Sequence, residues 1–361
     1  DSMSEDQIAA ALDTMIPDPS GGSIAGSRAV ANQFMNTVGA RLGYARNGLV
    51  GLSTGDAYQG TGFWMQGLGQ HADQGTRKGI AGYRMNAFGT AIGVDKAVSD
   101  HMRLGIAAGY GYTDVKSKAA GSPSTDINSW QGAIYAGYDA RTKQEQARMH
   151  QETGRLRTPV CRNFYYVDSL FAFTQNNYDT RRNVFLGDTT RTAKGEYNGQ
   201  QYSTSIEAGY TMNLKGTGAL EITPFTTLDY AFLYLHDYTE KGADALNLHV
   251  EGEGYNLLTQ GWGMKFAYPF RTKKHGTYIP SLRAAWVFDY LTDKFSSTSS
   301  FAGGGTSFTT KGVAPARSAL LLGFEMAFLN RGHFTLTGNY DLEIRDEYIS
   351  NTYYVTLRYE F

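Results

Sequence analysis

From residue 62 to the last residue, apolar and polar positions alternate with a period of two. The C-terminal segment is the clearest case. Ile349, Asn351, Tyr353, Val355, Leu357, Tyr359 and Phe361 fall on one face, and Ser350, Thr352, Tyr354, Thr356, Arg358 and Glu360 on the other. Period-two alternation is what a strand half in contact with an apolar phase requires. Leu104, Ile106, Ala108 and Tyr110 repeat the pattern against Arg103, Gly105, Ala107 and Gly109, and Leu320, Leu322, Phe324, Met326 and Phe328 against Ala319, Leu321, Gly323, Glu325 and Ala327. At 62–73 neither face is uniformly apolar. Read throughout, the pattern predicts twelve strands, at 62–73, 83–98, 102–118, 125–140, 162–178, 195–214, 220–236, 255–270, 277–294, 311–329, 333–343 and 349–361.

Before residue 62 the period is helical. Ser4 with Gln7 forms a capping pattern ahead of Ile8 and Leu12 and predicts a short helix at about 5–15. Pro17, Pro19 and Ser20-Gly21-Gly22-Ser23 then read as a linker. Val30, Phe34 and Val38 at i, i+4 spacing predict a second helix at 27–46, with Ser27 as N-cap and Asn47-Gly48 as the stop. Gly39 and Gly43 weaken that helix and make one side of it slim. The expected division is a tail or linker with a short helix at 1–26, a helix and connection at 27–61, and a β-domain at 62–361.

The connections between the strands alternate in length. Ser99-Asp100-His101, Lys215–Ala219 and Asn330-Arg331-Gly332 are short, whereas 179–194, 237–254 and 295–310 are long. Short turns on one side and long loops on the other are the habit of outer-membrane barrels, and an even strand count brings residue 62 and Phe361 to one rim. The 141–161 connection departs from this, being long and charged where a short turn is due.

Composition fits the same picture. The 43 glycines suit turns and close backbone approach, and the 25 tyrosines suit a surface half apolar and half wet. No apolar run is long enough for a membrane-spanning helix, which a barrel does not need. A formal net charge of -1 gives no reason to expect nucleic-acid binding. The acidic start, Asp1 to Asp6, is not a signal peptide, so any such peptide is expected to have been removed; the single Cys161 decides nothing about compartment. Opposite the apolar rows lie Asp95, Asp139, Asp168, Glu207, Asp229, Glu325 and Asp341, with Arg103, Lys265, Arg283 and Arg358. A mid-strand Arg or Lys facing hydrocarbon costs about 2–4 kcal/mol, so these faces are expected to line a wet or protein-filled lumen. A soluble sandwich with one polar face is the competing fold, but twelve long strands with lipid-like outer faces exceed what it needs.

Several ordered segments resemble the autotransporter β-domain of type V secretion. They are Phe63-Trp64-Met65-Gln66-Gly67-Leu68-Gly69, Tyr83-Arg84-Met85-Asn86, Gly93-Val94-Asp95-Lys96 and Met102–Tyr110. The most telling is Tyr238-Thr239-Glu240-Lys241-Gly242-Ala243-Asp244-Ala245-Leu246-Asn247-Leu248. The terminal Tyr359 and Phe361 are similar to the signal read by the barrel-assembly machinery, although a final Phe alone is common among outer-membrane barrels. The resemblance implies an all-β transmembrane barrel of twelve antiparallel strands with an N-terminal α-helix threading the pore. It also implies an outer-membrane lipid environment, insertion by the assembly machinery, and a passenger of the same chain exported to the cell surface. A monomer without cofactor or catalysis is expected.

Pore size leads to the same expectation independently. Twelve strands at ordinary spacing and tilt enclose a backbone diameter on the order of 24 Å, and side chains leave about the girth of one helix. The arginines of the second helix, Arg28, Arg41 and Arg46, are expected to meet the acidic lumen residues; a helix lying against the periplasmic rim is the alternative. Some members of the family cut their linker between two adjacent asparagines. Here Asn32 precedes Gln33 and Asn36 precedes Thr37, so the linker is expected to stay intact.

Candidate chemistry is sparse. Gly51-Leu52-Ser53-Thr54-Gly55 matches a nucleophile-elbow pattern, but it has a helix before it and a strand after it, the reverse of what that motif needs. Gly303-Gly304-Gly305 lacks the lysine and helix of a phosphate loop. The histidines, His71, His101, His236, His275 and His333, sit at turns and rims without metal-binding spacing. His71 near Asp73 with His236 beside Asp237 could form an outer-rim Asp/His pair of a hydrolase, though solvated loop residues are the plainer reading. A diffusion porin and an outer-membrane hydrolase therefore stand as alternatives, and the N-terminal helical segment favours the translocator over both.

Overall fold

The protein's structure, a computed structural model, describes residues 4–46, 61–141, 163–187, 189–213, 220–268, 270–272, 276–312, 314–329 and 334–360. Twelve long strands form the wall: β1 (Thr61–Gln74), β2 (Tyr83–Ala97), β3 (Met102–Ser117), β4 (Ser124–Asp139), β5 (Phe164–Leu186), β6 (Thr189–Asn213), β7 (Glu221–Leu235), β8 (Glu253–Ala267), β9 (Gly276–Thr292), β10 (Ser318–Leu329), β11 (Phe334–Arg345) and β12 (Tyr348–Glu360). Each pairs antiparallel with its neighbour in sequence, and β1 pairs with β12, Gly62 opposite Glu360 and Gln74 opposite Tyr348. The sheet is a closed up-and-down barrel without an edge.

The burial pattern is that of a protein in lipid. On β4, Trp130 and Ile134 are 60% and 61% exposed, whereas Ser129, Gln131 and Ala133 between and beside them are buried. On β12, Ile349, Tyr353, Val355 and Leu357 are exposed and Ser350, Thr352, Tyr354 and Thr356 are buried. An apolar exterior around a polar interior is stable only where hydrocarbon is the outer solvent. The same inversion explains the mixed pattern of β1. Trp64 points inward because its indole N–H donates to the Tyr135 hydroxyl at 2.9 Å, while Phe63 and Met65 face lipid.

Two helices precede the barrel, α1 (Glu5–Met15) and α2 (Gly22–Arg46). Helix α2 begins five residues before the expected start at 27. The break falls at Gly21, whose φ of 70° suits glycine, and the Ser20 hydroxyl accepts the Gly22 N–H at 3.2 Å. Ser27 is not the cap. Its hydroxyl donates to the Ser23 carbonyl at 2.9 Å and lies 2.6 Å from the Tyr178 hydroxyl inside the helix.

The long connections are more ordered than expected. Strands β5 and β6 continue as a paired ribbon to Leu186 and Thr189, through the segment 179–194 read as a loop. Above the bilayer both faces of a strand meet polar surroundings, so the apolar signal fades while hydrogen bonding continues. The segments at 237–254 and 295–310 supply a separate four-stranded sheet, made of Tyr238–Thr239, Leu248–Val250, Ser296–Phe301 and Phe308–Lys311. Residues 142–162, which include Cys161, lie outside the described residues, as do Gly51–Gly55 of the nucleophile-elbow pattern and Phe361.

Candidate functional site: the helix-filled lumen

Helix α2 lies inside the barrel, not against a rim. Val30, Phe34, Val38 and Leu42, each four residues on from the last, form one buried face of it. That face meets a row of small residues on the inward side of β3, Ala107, Gly109 and Gly111, while the Tyr135 ring fills the space over Gly105. A Cβ added at Gly111 would overlap Val30; at Gly109 it would come within 2.8 Å of the Phe34 ring, and at Gly137 on β4 within 2.9 Å of Leu42. The spacings match. Four helical residues advance about 6 Å, and two strand residues about 6.6 Å, so successive knobs meet successive sockets along an antiparallel path. The clearance thus resides in the wall. Around Gly39 a Cβ would meet nothing within 4 Å, and Gly43 has only the Arg46 side chain nearby, so the glycines expected to slim the helix do not do so. Gly22 and Gly26, read as linker, are the ones packed against Val115. Gly39→Ala is expected to leave packing unchanged and raise helix stability by up to about 1 kcal/mol, measurable by hydrogen exchange of α2 amides.

Three arginines anchor the helix along its length. Arg41 grips Asp95 bidentately, Nε to Oδ2 at 2.5 Å and Nη2 to Oδ1 at 2.7 Å. Asp95 also receives Arg103 and, at 3.1 Å, the Tyr135 hydroxyl. Both side chains of the Arg41–Asp95 pair are almost fully buried. Arg46 contacts both Asp168 oxygens, at 2.5 and 2.6 Å, and lies 3.5 Å above the Tyr166 ring, whose hydroxyl donates to Glu207 at 2.8 Å. Near the outer end Arg28 approaches Asp289 at 4.0 Å; Arg345 holds the same carboxylate at 2.8 Å.

The other expected lumen residues face inward without gripping α2 in the same way. Asp139 acts through Arg141, whose Nε donates to it at 2.9 Å and whose Nη2 donates to the Arg46 carbonyl at 2.6 Å, capping the helix C-terminus. On the far wall, Arg283 pairs with Glu207 at 3.5 Å and Lys265 with Glu325 at 3.6 Å. Asp229 stands opposite Ser205 on β6, and Asp341 opposite Gly323 on β10. The expectation that Asp229, Arg283, Glu325 and Asp341 hold the linker is corrected accordingly: α2 packs chiefly on β2–β5, on the other side of the lumen. For Arg358 and Tyr359 only the strand backbone is described.

The charges expected to face the lumen include Arg103, which meets Asp95, but neither Arg141 nor Asp289. Asp289 continues the inward alternation of Arg283, Ala285 and Val287, and that alternation could have found it. Arg141 lies just past a strand end, where no period marks it.

At the outer mouth, α1 is tied to the loops. Buried Arg182 on the β5 extension pairs with Glu240 at 2.5 Å and donates to the Thr14 carbonyl, in the last turn of α1, at 2.5 Å. Glu240 in turn accepts the Leu248 N–H at 2.8 Å, so the outer sheet is part of the same contact. Asp18, between the helices, receives hydrogen bonds from Ser20 and Ser117; burial nevertheless raises its carboxyl above the usual range. Arg182→Gln is expected to leave the barrel folded and expose 5–20 to limited proteolysis; undiminished protection of α1 would refute the tie.

The two histidines considered for acid–base work do not meet. His71 lies on β1, facing outward with its Nδ1 2.8 Å from the Asn86 side chain, and His236 follows β7 with its Nε2 3.0 Å from Gln200. Strands β1 and β7 are six steps apart in a twelve-step ring, on opposite sides of the barrel. Asp73 is engaged by Arg84 and Lys118.

A closed twelve-stranded barrel, apolar outside and holding in its lumen a helix gripped through buried ion pairs, defines an outer-membrane barrel with an internal helix. Comparison with known proteins narrows the class. The model of the autotransporter β-domain matches residues 63–341, and the chain belongs to that family, whose place is the bacterial outer membrane. It is 26% identical over 239 residues to outer membrane protein A of Rickettsia rickettsii, covering 64% of this chain and 10% of that protein. With esterase EstA of Pseudomonas aeruginosa it shares 24% identity over 217 residues, 59% of this chain and 30% of that one. The chain thus spans a minor part of these relatives. The fold is similar to the translocator domain of NalP from Neisseria meningitidis, with a TM-score of 0.65 at 15% identity, covering 93% of this chain and 98% of that one. The transport unit of AIDA-I from Escherichia coli gives 0.59 at 13% identity, with 96% and 100% covered.

Proposed function

We propose that this domain anchors a passenger of the same chain in the outer membrane, delivers it to the cell surface, and then remains as a sealed, non-catalytic barrel. The observation that carries this reading is the path of α2. It runs from the outer mouth, where Asp18 accepts a hydrogen bond from Ser117, to the short-turn end, where Arg46 meets Asp168. A chain that passes through a closed wall in this direction presents everything N-terminal to α1 on the outer side. A diffusion porin would have no use for buried ion pairs to a central helix. The esterase among the relatives is matched over under a third of its length, and the separation of His71 from His236 supports an inert barrel here. The uncut linker follows from the absence of an Asn-Asn pair in α2, and a monomer inserted by the barrel-assembly machinery completes the proposal.

The test is to fuse a small folded reporter ahead of residue 1 behind a signal peptide, and to probe intact cells with antibody and protease. Surface reporter still covalently joined to the barrel is expected. A reporter retained in the periplasm while the barrel assembles would refute the export role, and a released reporter would refute the intact linker.

A further inference from the structure

The outer surface of β2–β6 carries a cross-strand row of cations. Arg84 on β2 is opposite Lys116 on β3, Lys116 opposite Ser124 on β4, Ser124 opposite Arg181 on β5, Arg181 opposite Lys194 on β6, and Lys194 bridges to Lys241. The five basic side chains are exposed. They belong to the outward alternation, since Arg182, Ala193 and Gly195 beside them are buried. Like charges directly opposite on adjacent strands are destabilising. Arg84 and Lys116 have carboxylate partners, at 3.1 and 3.3 Å, but Arg181, Lys194 and Lys241 have none within salt-bridge distance among the described residues.

One pleat closer to the bilayer the sign reverses. Asp114, Asp126, Asp179 and Glu196 stand opposite one another in turn. Below them on the same outward faces come the apolar residues of the lipid belt, Phe173 on β5 and Tyr202 on β6. Arg181 lies eight residues beyond Phe173, which on a strand tilted by about 40° is roughly 20 Å above it. An anion seated on Arg181, Lys194 and Lys241 therefore belongs to a headgroup that is large, stands well clear of the hydrocarbon edge, and is held off the acidic row by repulsion.

We propose that this face of the β5–β6 ribbon is a docking surface for the phosphorylated saccharide headgroup of an outer-leaflet glycolipid. Bound there, the headgroup neutralises the cation row and packs the ribbon that carries Arg182, and with it the α1 contact, against the membrane surface.

The test uses the full chain, purified in mild detergent, with phosphorylated glycolipid, the same glycolipid enzymatically dephosphorylated, and phosphatidylglycerol as separate probes. Bound lipid is counted by native mass spectrometry. The parent protein is expected to retain the phosphorylated glycolipid selectively. The triple variant R181Q/K194Q/K241Q should lose affinity on the order of a hundredfold, about fivefold per cation, with smaller differences at high salt. The K194R variant should bind like the parent. Lys96→Gln, an exposed cation at the short-turn end of β2, should change nothing. Equal binding of the dephosphorylated glycolipid, equal binding of phosphatidylglycerol, or an unaltered triple variant would each overturn the proposal. Because all three side chains are exposed, a heat-modifiable band on gels verifies that each variant barrel is folded.

Discussion

Replacing Gly109 and Gly111 together with leucine is expected to expel α2 from the lumen while leaving the barrel closed. Both positions lie on the inward row of β3, where the absent side chains make room for Phe34 and Val30. Overpacking a filled site costs about 1–3 kcal/mol per position, and here the two sites adjoin on one strand. The wall cannot yield, because β3 is hydrogen-bonded along its length to β2 and β4. The helix can, because at its N-terminal end it breaks at Gly21 and leads to α1, outside the wall. Conductance of the purified protein in planar bilayers should rise severalfold, and residues 22–46 should become open to protease. Gly132→Leu on the lipid-facing side of β4, where a Cβ would meet nothing within 4 Å, should behave as the parent. A folded double variant with parental conductance would show that the sockets do not seat the helix.

Loss of the Asp95 carboxylate is expected to be nearly as damaging, and more so than loss of Arg41. Asp95 receives Arg41, Arg103 and Tyr135. In Asp95→Ala two guanidinium groups are left in a buried place without their anion, and breaking a buried pair from one side costs about 3–5 kcal/mol. In Arg41→Met the carboxylate keeps Arg103, and the methionine fills the space on α2, so the penalty should be smaller. Thermal unfolding followed by near-ultraviolet circular dichroism, with conductance in parallel, gives the order parent, Arg41→Met, Asp95→Ala. The reverse order would mean that the Arg103 contact contributes little and that Arg41 acts mainly by packing. Arg41→Glu with Arg46→Glu, which sets carboxylates against Asp95 and Asp168, should open the pore further still.

Much of this architecture is a local property of the chain. Period-two alternation is set by the pleat, and which face is apolar is set by contact with hydrocarbon. Rows such as Ile349–Leu357 and Leu320–Phe328 therefore announce both the strands and their outward sides before any pairing is known. The spacing of Val30, Phe34 and Val38 marks a helix in the same way, and pore geometry makes one helix the natural filling. Tertiary structure alone decided the rest. The role of Gly22 in the first turn of α2 is set by its close approach to Val115, a partner 93 residues away in sequence. Asp95 and Asp168 became anchors, while Asp229, Glu325 and Asp341 did not, because the small residues of β2–β4 draw α2 to one wall. His71 and His236 were parted by ring closure, which puts strands six apart on opposite sides. A sequence carries the period of each strand, but the partners of an inward charge depend on where a closed ring brings distant strands and on which wall the helix can approach.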